Sequence, residues 1–404
     1  MRSPAGEVAF VLPDKLGGVF NYVDSLARHR HPDDFTYAAI RTDNARDVDT
    51  RGAAPLPVDR EVAFDYSLPR ENIHAVLRRL SRAIPFGPGV IVANGWLELA
   101  LTSIVDTGRA VIAIHHGDFD YYNDLAVRHR DTIDAYVTYS DHMAGRLRAL
   151  LPDRAGSVFM LPYGVDVGAA ARVAAPGSDP GGLTPSPLRA MYAGRLSRDK
   201  GVFDLPPIDR RLRELGVRVA WTIQGTGADA EALHDAWSDR PDVRWTGLQP
   251  MAEVLRLYPT QDVLVMPSRA EGLPVALLEG GAAGVVPVIS DLPSGIRDVV
   301  QSGVTGFLPP PGDINAFAEA LSRLDRDRPL LESMSAAIRA HVANRYDATK
   351  CTAAYQALFA RWRELKRPRP KRTKLPYGTR LDRPWIPNRV VIAVRSAVAR
   401  RKTQ

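Results

Sequence analysis

The chain has 404 residues, of which 45% are apolar and 25% charged, a composition typical of a globular protein and long enough for two domains. The single cysteine, Cys351, excludes a disulfide framework and argues against a cysteine-based metal cluster, as in proteins of a reducing compartment. The net charge of +7 is uneven, because residues 366–404 hold thirteen Lys/Arg and one acidic residue, whereas residues 1–365 carry −5.

The first half of the chain alternates short apolar runs with helical patterns. Continuous apolar strands that alternate with helices predict a parallel sheet with helices on both faces. The predicted strands are Val8–Leu12, Val90–Ala93, Ala110–Ile114 and Ala135–Tyr139, and the predicted helices are Asn21–Arg30, Ile73–Ile84 and Asp141–Leu151.

The pattern breaks at residues 174–187, where proline, glycine and serine predict an interdomain linker. A second α/β domain is predicted over residues 188–345, followed by an amphipathic helix over residues 346–365. Two doubly wound domains in tandem place their ligands where the strands end. The predicted strands are Arg189–Ala193, Val217–Gln224, Val243–Thr246, Val263–Pro267 and Val285–Ser290, and the predicted helices include Met251–Tyr258, Leu277–Ala283, Ile314–Leu324 and Arg328–Arg345.

Two cations follow the first strand of the second half. Arg195 comes just after a glycine turn at the strand end, and Lys200 lies five residues farther on. Charge-assisted hydrogen bonds from two cations at such a place suit a diphosphate. Ordinary surface charges on a solvated loop are the alternative for the pair alone.

Two carboxylates, Glu271 and Glu279, stand eight positions apart farther along the chain. Gly272 permits a close backbone approach, and Pro274 presets the start of a helix. The free N–H groups of that helix offer a site to an anion, and a carboxylate one turn inside accepts from sugar hydroxyls.

In this order, the cation pair and the two glutamates resemble the signature of the retaining GT-B glycosyltransferases of family 4. The resemblance covers residues 7–365 and is densest over 188–315. It implies a GT-B fold, an α/β architecture of two doubly wound Rossmann-like domains facing a central cleft. Residues 1–173 are then the acceptor-side domain, residues 188–345 the nucleotide-sugar donor domain, and the helix at 346–365 packs back toward the first domain. Further matching segments are Gly17-Gly18, Gln224-Gly225-Thr226-Gly227, Thr246-Gly247-Leu248, Ser302–Leu308 and Pro311-Gly312-Asp313.

The resemblance also implies roles for single residues. Arg195 and Lys200 neutralise the donor diphosphate, Glu279 binds the ribose hydroxyls, and Glu271 lies beside the transferred sugar. His116 lies near the reacting sugar, with His115 as the neighbour that is easily confused with it. The implied catalytic residues are Glu271 and His116, and the implied donor-binding residues are Gly18, Arg195, Lys200, Gly225, Leu248, Gly272, Leu273, Pro274 and Glu279.

The implied function is transfer of a sugar from a UDP or GDP sugar to a glycan or lipid-linked acceptor, with retention, in cell-surface glycan or glycolipid biosynthesis. No cofactor and no metal is expected; Asp118-Phe119-Asp120 has the spacing of a metal-binding D-x-D motif but is interpreted as a loop or capping pair. The alternatives are a catalytically silent sugar-nucleotide-binding subunit and a GT-B relative such as a sugar phosphorylase or epimerase. One departure from the family is Glu279-Gly280-Gly281-Ala282, where many members have E-A-x-A.

Residues 366–404 are predicted to form a separate basic tail. Val390, Val391, Val394 and Val398 share one helical face, which predicts an interfacial helix on an anionic membrane. A disordered solubilising tail is the alternative, and nucleic acid is not an expected partner because aromatic residues do not interleave with the basic ones. With neither a signal peptide nor a membrane-spanning segment expected, the predicted location is the cytoplasm, with peripheral contact at the inner membrane face left open.

Overall fold

The computed structural model describes residues 6–15, 17–31, 35–45, 54–117, 119–168, 186–369 and 375–402. The chain divides into two compact units. The first comprises residues 1–139, 143–164 and 349–404, and the second comprises residues 140–142 and 165–348. The predicted linker at 174–187 lies outside the described residues except for Ser186 and Pro187.

The first unit is built on a seven-stranded parallel sheet in the order β3-β2-β1-β4-β5-β6-β7. The carboxyl ends of all seven strands therefore meet at one edge of the sheet. Three of these strands, β2, β3 and β7, are absent from the sequence prediction. The strands are β1 (Glu7–Pro13), β2 (Thr36–Asn44), β3 (Arg60–Tyr66), β4 (Gly89–Ala93), β5 (Ala110–His115), β6 (Ala135–Thr138) and β7 (Val158–Met160).

Alternation along β1 directs its side chains to two helical layers. Ala9 and Val11 belong to a core cluster with α2 and α3, while Phe10 on the opposite face contacts Phe359 near the C-terminus, with ring centroids 6.4 Å apart. Both faces of the sheet are thus covered, as predicted. The helices between these strands are α1 (Gly18–His29), α2 (Ile73–Ala83), α3 (Trp96–Thr102), α4 (Asp120–Arg128) and α5 (Asp141–Leu150), with a 3-10 helix at Pro152–Ser157.

The second unit has a five-stranded parallel sheet in the order β10-β9-β8-β11-β12. All five strands were predicted from the sequence, with ends shifted by at most two residues. The strands are β8 (Leu188–Ala193), β9 (Val219–Gln224), β10 (Arg244–Gly247), β11 (Val263–Met266) and β12 (Val286–Ile289). The helices are α6 (Leu205–Glu214), α7 (Ala230–Ala236), α8 (Met251–Leu257), α9 (Val275–Ala283), α10 (Ile296–Val299), α11 (Ile314–Arg326) and α12 (Arg328–Arg345), with 3-10 helices at Arg198–Lys200, Val202–Asp204 and Tyr258–Thr260.

Gly281, the second of the two glycines that follow Glu279, has a packing explanation. A Cβ at Gly281 would lie 2.9 Å from Cγ2 of Val342 and 3.1 Å from Cγ1 of Ile338, both on α12. Helix α12 therefore packs directly on the backbone of α9, and only glycine allows the two helices to approach so closely at this point.

The chain returns to the first unit through α13 (Ala348–Ala360) and α14 (Trp362–Leu365). The hydroxyl of Tyr355 donates to the carbonyl of Leu161 at 2.8 Å, and the Gln356 amide exchanges two hydrogen bonds of 3.1 Å with the backbone of His31. The single helix predicted over 346–365 is interrupted at Arg361.

The described part of the basic tail is packed onto the first unit, which corrects the prediction of a separate tail. Arg369 donates to Asp134 at 2.6 Å, the Tyr377 hydroxyl lies 2.8 Å from Nε2 of His129, and Asp382 accepts from the backbone N–H of Ile73 at 3.0 Å. The disordered-tail alternative is therefore wrong for residues 375–402.

The last helix, α15 (Asn388–Lys402), contains the predicted valine face. Val391 is buried against the first unit, whereas Val390, Val394 and Val398 on the same broad face are exposed, so only part of the valine face is accessible. Among the residues that the structure describes, every helix is too short or too polar to cross a membrane.

Candidate active site

The sequence motifs of the second unit follow the carboxyl ends of neighbouring strands. Arg195 and Lys200 follow β8, Gly225 follows β9, and Glu271 follows β11. Because β9, β8 and β11 are adjacent and parallel, the loops after them emerge side by side at one edge of the sheet. The topology therefore gathers motifs that are 76 residues apart in sequence, from Arg195 to Glu271.

The loops after β8 and β9 are in backbone contact. The N–H of Gly194 donates to the carbonyl of Gln224 at 3.1 Å, and a Cβ at Gly225, whose φ is +125°, would lie 1.9 Å from the carbonyl oxygen of Gly194. A Cβ at Gly227 would lie 2.2 Å from the carbonyl oxygen of Leu196. The glycine-rich turn is thus required for loop packing, independently of any ligand.

Lys200 and Glu271 form an ion pair across the loops after β8 and β11. The ammonium Nζ of Lys200 lies 2.9 Å from Oε2 of Glu271, and the side chains are only 21% and 9% exposed. The other carboxylate oxygen, Oε1, accepts a hydrogen bond of 2.8 Å from the Ser268 hydroxyl. Both oxygens of Glu271 are therefore held, which fixes the side-chain position of this predicted catalytic residue.

The backbone holds the same two loops together. The N–H of Arg269 donates to the carbonyl of Asp199 at 2.9 Å. Gly201 has φ +64°, and a Cβ there would lie 1.9 Å from the carbonyl oxygen of Pro267. Lys200 is consequently carried on a turn that no larger residue at position 201 would allow.

Arg195 is the more accessible of the two predicted phosphate-binding cations, with 64% of its side chain exposed. Its guanidinium donates to Oδ2 of Asp199 at 2.9 Å and to the Ser197 hydroxyl at 3.2 Å. Partial burial raises the pKa of Asp199, but the hydrogen bond from Ser197 and the charges of Arg195 and Lys200 lower it overall. The positive charges of Arg195 and Lys200 therefore both act on the carboxylate of Asp199.

The start of α9 presents backbone N–H groups at this edge. Pro274 with φ −65° precedes the first helical residue, and none of the described side chains caps the first turn. Gly272 and Leu273 are buried, and the carbonyl of Gly272 accepts from the N–H of Gly295 at 2.9 Å. The segment is fixed by the protein, while the first N–H groups of the helix remain available to an anion.

Glu279 lies in the second turn of α9. The Tyr258 hydroxyl donates to its Oε2 at 3.3 Å. Burial raises the pKa of Glu279 to about 7, although the hydrogen bond from Tyr258 lowers it. Leu248, the residue predicted to lie next to the base, follows β10 and is exposed.

Gly18 and His116 belong to the first unit, whereas the other nine predicted site residues belong to the second. Gly18 is the first residue of α1 and follows Gly17, whose φ is +154°. A Cβ at either glycine would meet no atom within 4 Å among the described residues, and no described side chain caps the helix. The start of α1 therefore also presents free backbone N–H groups.

His116 follows β5 and has a partner at each ring nitrogen. Nδ2 of Asn94 donates to the Val11 carbonyl at 2.8 Å, so Oδ1 of Asn94 is the atom that faces Nε2 of His116, at 2.8 Å. Nε2 therefore carries the proton, and Nδ1 accepts from the Tyr139 hydroxyl at 2.8 Å. Burial, with a smaller effect from the charge of His115, lowers the pKa of His116 to about 3. The imidazole is neutral near pH 7 and does not act as a proton donor in its charged form.

The D-x-D motif is only partly described. Asp120 begins α4, and Asp118 lies outside the described residues. In the described part of the chain, no three His, Cys, Asp or Glu side chains are grouped in a way that could hold a metal ion. The expectation of a metal-independent reaction stays a prediction.

Several residues that hold the site in place were missed in the sequence. Ser268, Asp199 and Tyr258 contact Glu271, Arg195 and Glu279, respectively. The only local signals are the S-x-x-E spacing of Ser268 and the position of Asp199 in the cationic loop. Asn94 and Tyr139, the partners of His116, each follow a strand of the first sheet, and their proximity depends on the order of those strands.

Comparison with known proteins gives matches to glycosyltransferases. Residues 181–341 match the family model described as glycosyl transferases group 1. The amylovoran biosynthesis glycosyltransferase AmsK of Erwinia amylovora is 32% identical over 170 residues, which is 40% of this chain and 42% of AmsK. The chain thus spans well under two thirds of the length of the curated relatives that it matches.

Solved structures match over most of the chain. Sucrose-phosphate synthase from Thermosynechococcus elongatus has a TM-score of 0.70 at 18% identity and covers 89% of this chain and 98% of its own. Anabaena HepE in complex with UDP-glucose has a TM-score of 0.70 at 16% identity and covers 87% of this chain and 98% of its own. The predicted GT-B fold is confirmed.

Proposed function

We propose that the protein is a glycosyltransferase that moves a sugar from a nucleotide diphosphate sugar to an acceptor hydroxyl with retention of anomeric configuration. The observation that carries this proposal is the ion pair between Lys200 and Glu271 beside the uncapped start of α9. A cation, a fixed carboxylate and free N–H groups lie within one set of neighbouring loops. The match of residues 181–341 to glycosyl transferases group 1 supports the same function.

Each group has a task in the proposed reaction. Arg195, Lys200 and the N–H groups of α9 stabilise the negative charge that develops on the leaving diphosphate. Glu279 accepts from the ribose hydroxyls, and Glu271 holds Lys200 and faces the transferred sugar. The bond between the anomeric carbon and the phosphate oxygen breaks, the acceptor oxygen bonds to the same face of that carbon, and its proton passes to the leaving phosphate.

Donor and acceptor classes follow from the relatives. HepE was solved with UDP and with UDP-glucose, so a uridine diphosphate hexose is our first proposed donor class, with GDP sugars as the second. AmsK is a glycosyltransferase of amylovoran biosynthesis, which supports a glycan or lipid-linked acceptor of a polysaccharide pathway. We assign acceptor recognition to the first unit, as the resemblance to family 4 implies.

The test is a screen of UDP and GDP sugars for release of free nucleotide with and without oligosaccharide acceptors. The expected result is acceptor-dependent release from one donor, with the α-linked donor giving an α-linked product by NMR. A β-linked product would overturn retention. Orthophosphate-dependent release of a sugar phosphate without nucleotide would identify a phosphorylase, and binding without turnover would identify a silent subunit.

Because cations and a helix terminus face the diphosphate, we propose that no metal takes part. Activity is expected to be unchanged after EDTA treatment and gel filtration. Loss of activity that Mg²⁺ or Mn²⁺ restores would contradict this proposal and would direct attention to Asp118 and Asp120.

A further inference from the structure

Helix α15 is fixed to the first unit through one side only. The guanidinium of Arg395 donates to the carbonyls of Pro69 and Glu71, at 2.5 and 2.6 Å, and to Asp382 at 2.5 Å. Oδ1 of Asn388 accepts from the N–H of Asn72 at 2.7 Å, and Val391 is fully buried. The orientation of the helix about its own axis is therefore determined.

An exposed apolar strip runs along α15 beside its attached side. Val390, Val394 and Val398 are spaced four residues apart, so they lie in one row along the helix. They are 45%, 40% and 52% exposed, and Trp385, just before the helix, is 74% exposed. Three valines and a tryptophan are thus presented to solvent along the edge of the attached side of the helix.

The surroundings of this strip are cationic. Within residues 375–402 the one acidic residue is Asp382, and it is buried against Arg395, so Arg383, Arg389 and Arg400 are exposed with no acidic residue of the segment left to balance them. Trp385, the three valines, Arg389 and Arg400 are called the docking face below.

The neighbouring helix α2 extends the positive surface. It contains three arginines and no acidic residue, and Arg78 donates to the Pro384 carbonyl at 3.2 Å. Burial lowers the pKa of His74 and the charge of Arg78 lowers it further; Asp382 opposes this, and Arg383 adds a smaller lowering effect. Arg78 of α2 and Arg383 therefore lie near each other beside the start of α15.

We propose that the docking face binds the surface of an anionic lipid bilayer. Arginines attract anionic headgroups, the valine strip inserts at the level of the acyl boundary, and a tryptophan at the edge is suited to the interface. A nucleic acid would use the arginines but would leave the valine strip in water. The combination of both features on one fixed helix favours the bilayer.

Different residues of the tail attach it to the first unit and face the solvent. Arg369 and Arg395 hold the tail on the rest of the first unit, Arg369 by pairing with Asp134 and Arg395 by donating to the carbonyls of Pro69 and Glu71. The expected lipid contacts are confined to the exposed arginines and the valine strip, so single substitutions there can be made without disturbing the attachment.

The experiment is co-sedimentation of the full chain with phosphatidylcholine vesicles that contain either no anionic lipid or 30 mol% phosphatidylglycerol, a composition chosen as roughly that of an anionic membrane. Three variants are compared with the parent. Arg389→Glu reverses a charge on the docking face, Val394→Ser removes apolar contact there, and Arg210→Glu reverses an exposed charge on α6 of the second unit. Equal melting midpoints establish that the variants are folded.

The expected result is binding to anionic vesicles alone, weakened by salt. Arg389→Glu should lower the partition coefficient at least about tenfold, Val394→Ser should make binding dissociate at lower salt, and Arg210→Glu should change neither. Absence of binding at low salt overturns the proposal. An equal loss of binding in Arg389→Glu and Arg210→Glu also overturns it, because binding would then depend on net charge alone. The proposal is likewise wrong if Val394→Ser binds vesicles as well as the parent and a short oligonucleotide binds equally tightly.

Discussion

Lys200 is held by a carboxylate in the structure, and this contact sets what its removal should do. The ammonium of Lys200 and Oε2 of Glu271 are 2.9 Å apart in a largely buried pair. A lysine that neutralises a leaving diphosphate stabilises the transition state, whereas one that serves structure alone would leave turnover intact in the folded variant. Kinetic measurements on a folded Lys200 variant therefore distinguish the two roles.

Lys200→Ala is expected to reduce kcat/KM for the donor at least about tenfold, or about 1.4 kcal/mol of transition-state stabilisation. The matched control is Arg198→Ala, two residues earlier on the same loop, where the guanidinium is exposed and packs over the ring of Phe203. Steady-state nucleotide release measures both. Equal rates for the Lys200 variant and the parent would exclude a diphosphate role for this side chain.

Glu279 makes the donor site sensitive to pH. Burial raises its pKa to about 7, and the carboxylate form is the better acceptor for ribose hydroxyls. The kcat/KM for the donor is therefore expected to rise between pH 6 and 8 as the carboxyl ionises. Glu279→Gln should have a lower value that is flat over this range, and a rise of unchanged shape in that variant would assign the titration to another group.

The contact between the loops after β8 and β9 depends on Gly225. Gly225 has φ +125°, and a Cβ there would lie 1.9 Å from the Gly194 carbonyl oxygen, whereas Gly216 has φ +73° with no described atom within 4 Å of its Cβ. Both positions disfavour alanine by backbone strain, but only the first adds a collision.

Gly225→Ala is expected to lower the free energy of unfolding of the second unit by at least about 2 kcal/mol more than Gly216→Ala. Urea unfolding followed by tryptophan fluorescence is suitable, because Trp221 and Trp237 are buried in that unit. An equal loss in the two variants would show that strain alone, without loop contact, explains the glycine at 225.

The start of α3 contains a buried carboxyl with an unusual ionisation. Oε1 of Glu98 accepts from the N–H groups of Asn94 and Gly95, both at 2.6 Å. Burial raises its pKa from 4.5 to about 7, although these hydrogen bonds lower it. The folded state then binds the proton more tightly than the unfolded state, so the contribution of Glu98 to stability falls as pH rises from about 4.5 to 7.

Glu98→Gln retains the accepting oxygen and removes this titration. The variant is expected to be more stable than the parent by about 2 kcal/mol above pH 7 and similar to it below pH 5. The comparison must be variant against parent, because the lowered pKa values of His116 and His129 act in the opposite direction below pH 6.5. A constant difference across pH, measured by denaturant unfolding, would rule out the buried ionisation.

Elements were predictable from the sequence where burial is uniform. Four of the five strands of the second sheet, β8, β9, β11 and β12, are mostly buried and largely apolar, whereas β10 is a partly exposed edge strand that was predicted without such a run. Strand β3 is an edge strand with charged, partly exposed residues, and β7 has three residues, so neither has a strong pattern. The site residues Lys200 and Glu271 were predicted from the order of the motifs. Their ion pair depends on β8 lying next to β11, and spacing along the chain does not show that adjacency.

The segment from residue 366 onward has the sequence of a detachable basic tail, but it is part of the first unit. The charge pattern alone cannot show this, because Arg369 and Arg395 look like the other cations in the sequence. Their partners, Asp134 and Asp382, are nearly fully buried, and Asp134 lies more than 200 residues earlier in the chain. A pairing over that separation can be recognised only in the folded structure, where β6 lies at the surface that the tail crosses.

Truncation after Leu365 is therefore expected to destabilise the first unit. The side chain of Asp134, 0% exposed, accepts from the N–H of Val111 at 2.7 Å and from Arg369 at 2.6 Å, so loss of Arg369 leaves a buried carboxylate without its cation. Breaking such a pair costs about 3–5 kcal/mol. Hydrogen exchange should show lost protection in β5 and β6 with β8 and β11 unchanged, because β8 and β11 belong to the second unit.

A chain ending at Ser396 keeps Arg369, Val391 and Arg395 and should behave like the parent, while Arg369→Met in the full chain should reproduce most of the loss. Unchanged protection of β5 and β6 in the chain truncated after Leu365 would mean that the tail is a removable extension after all.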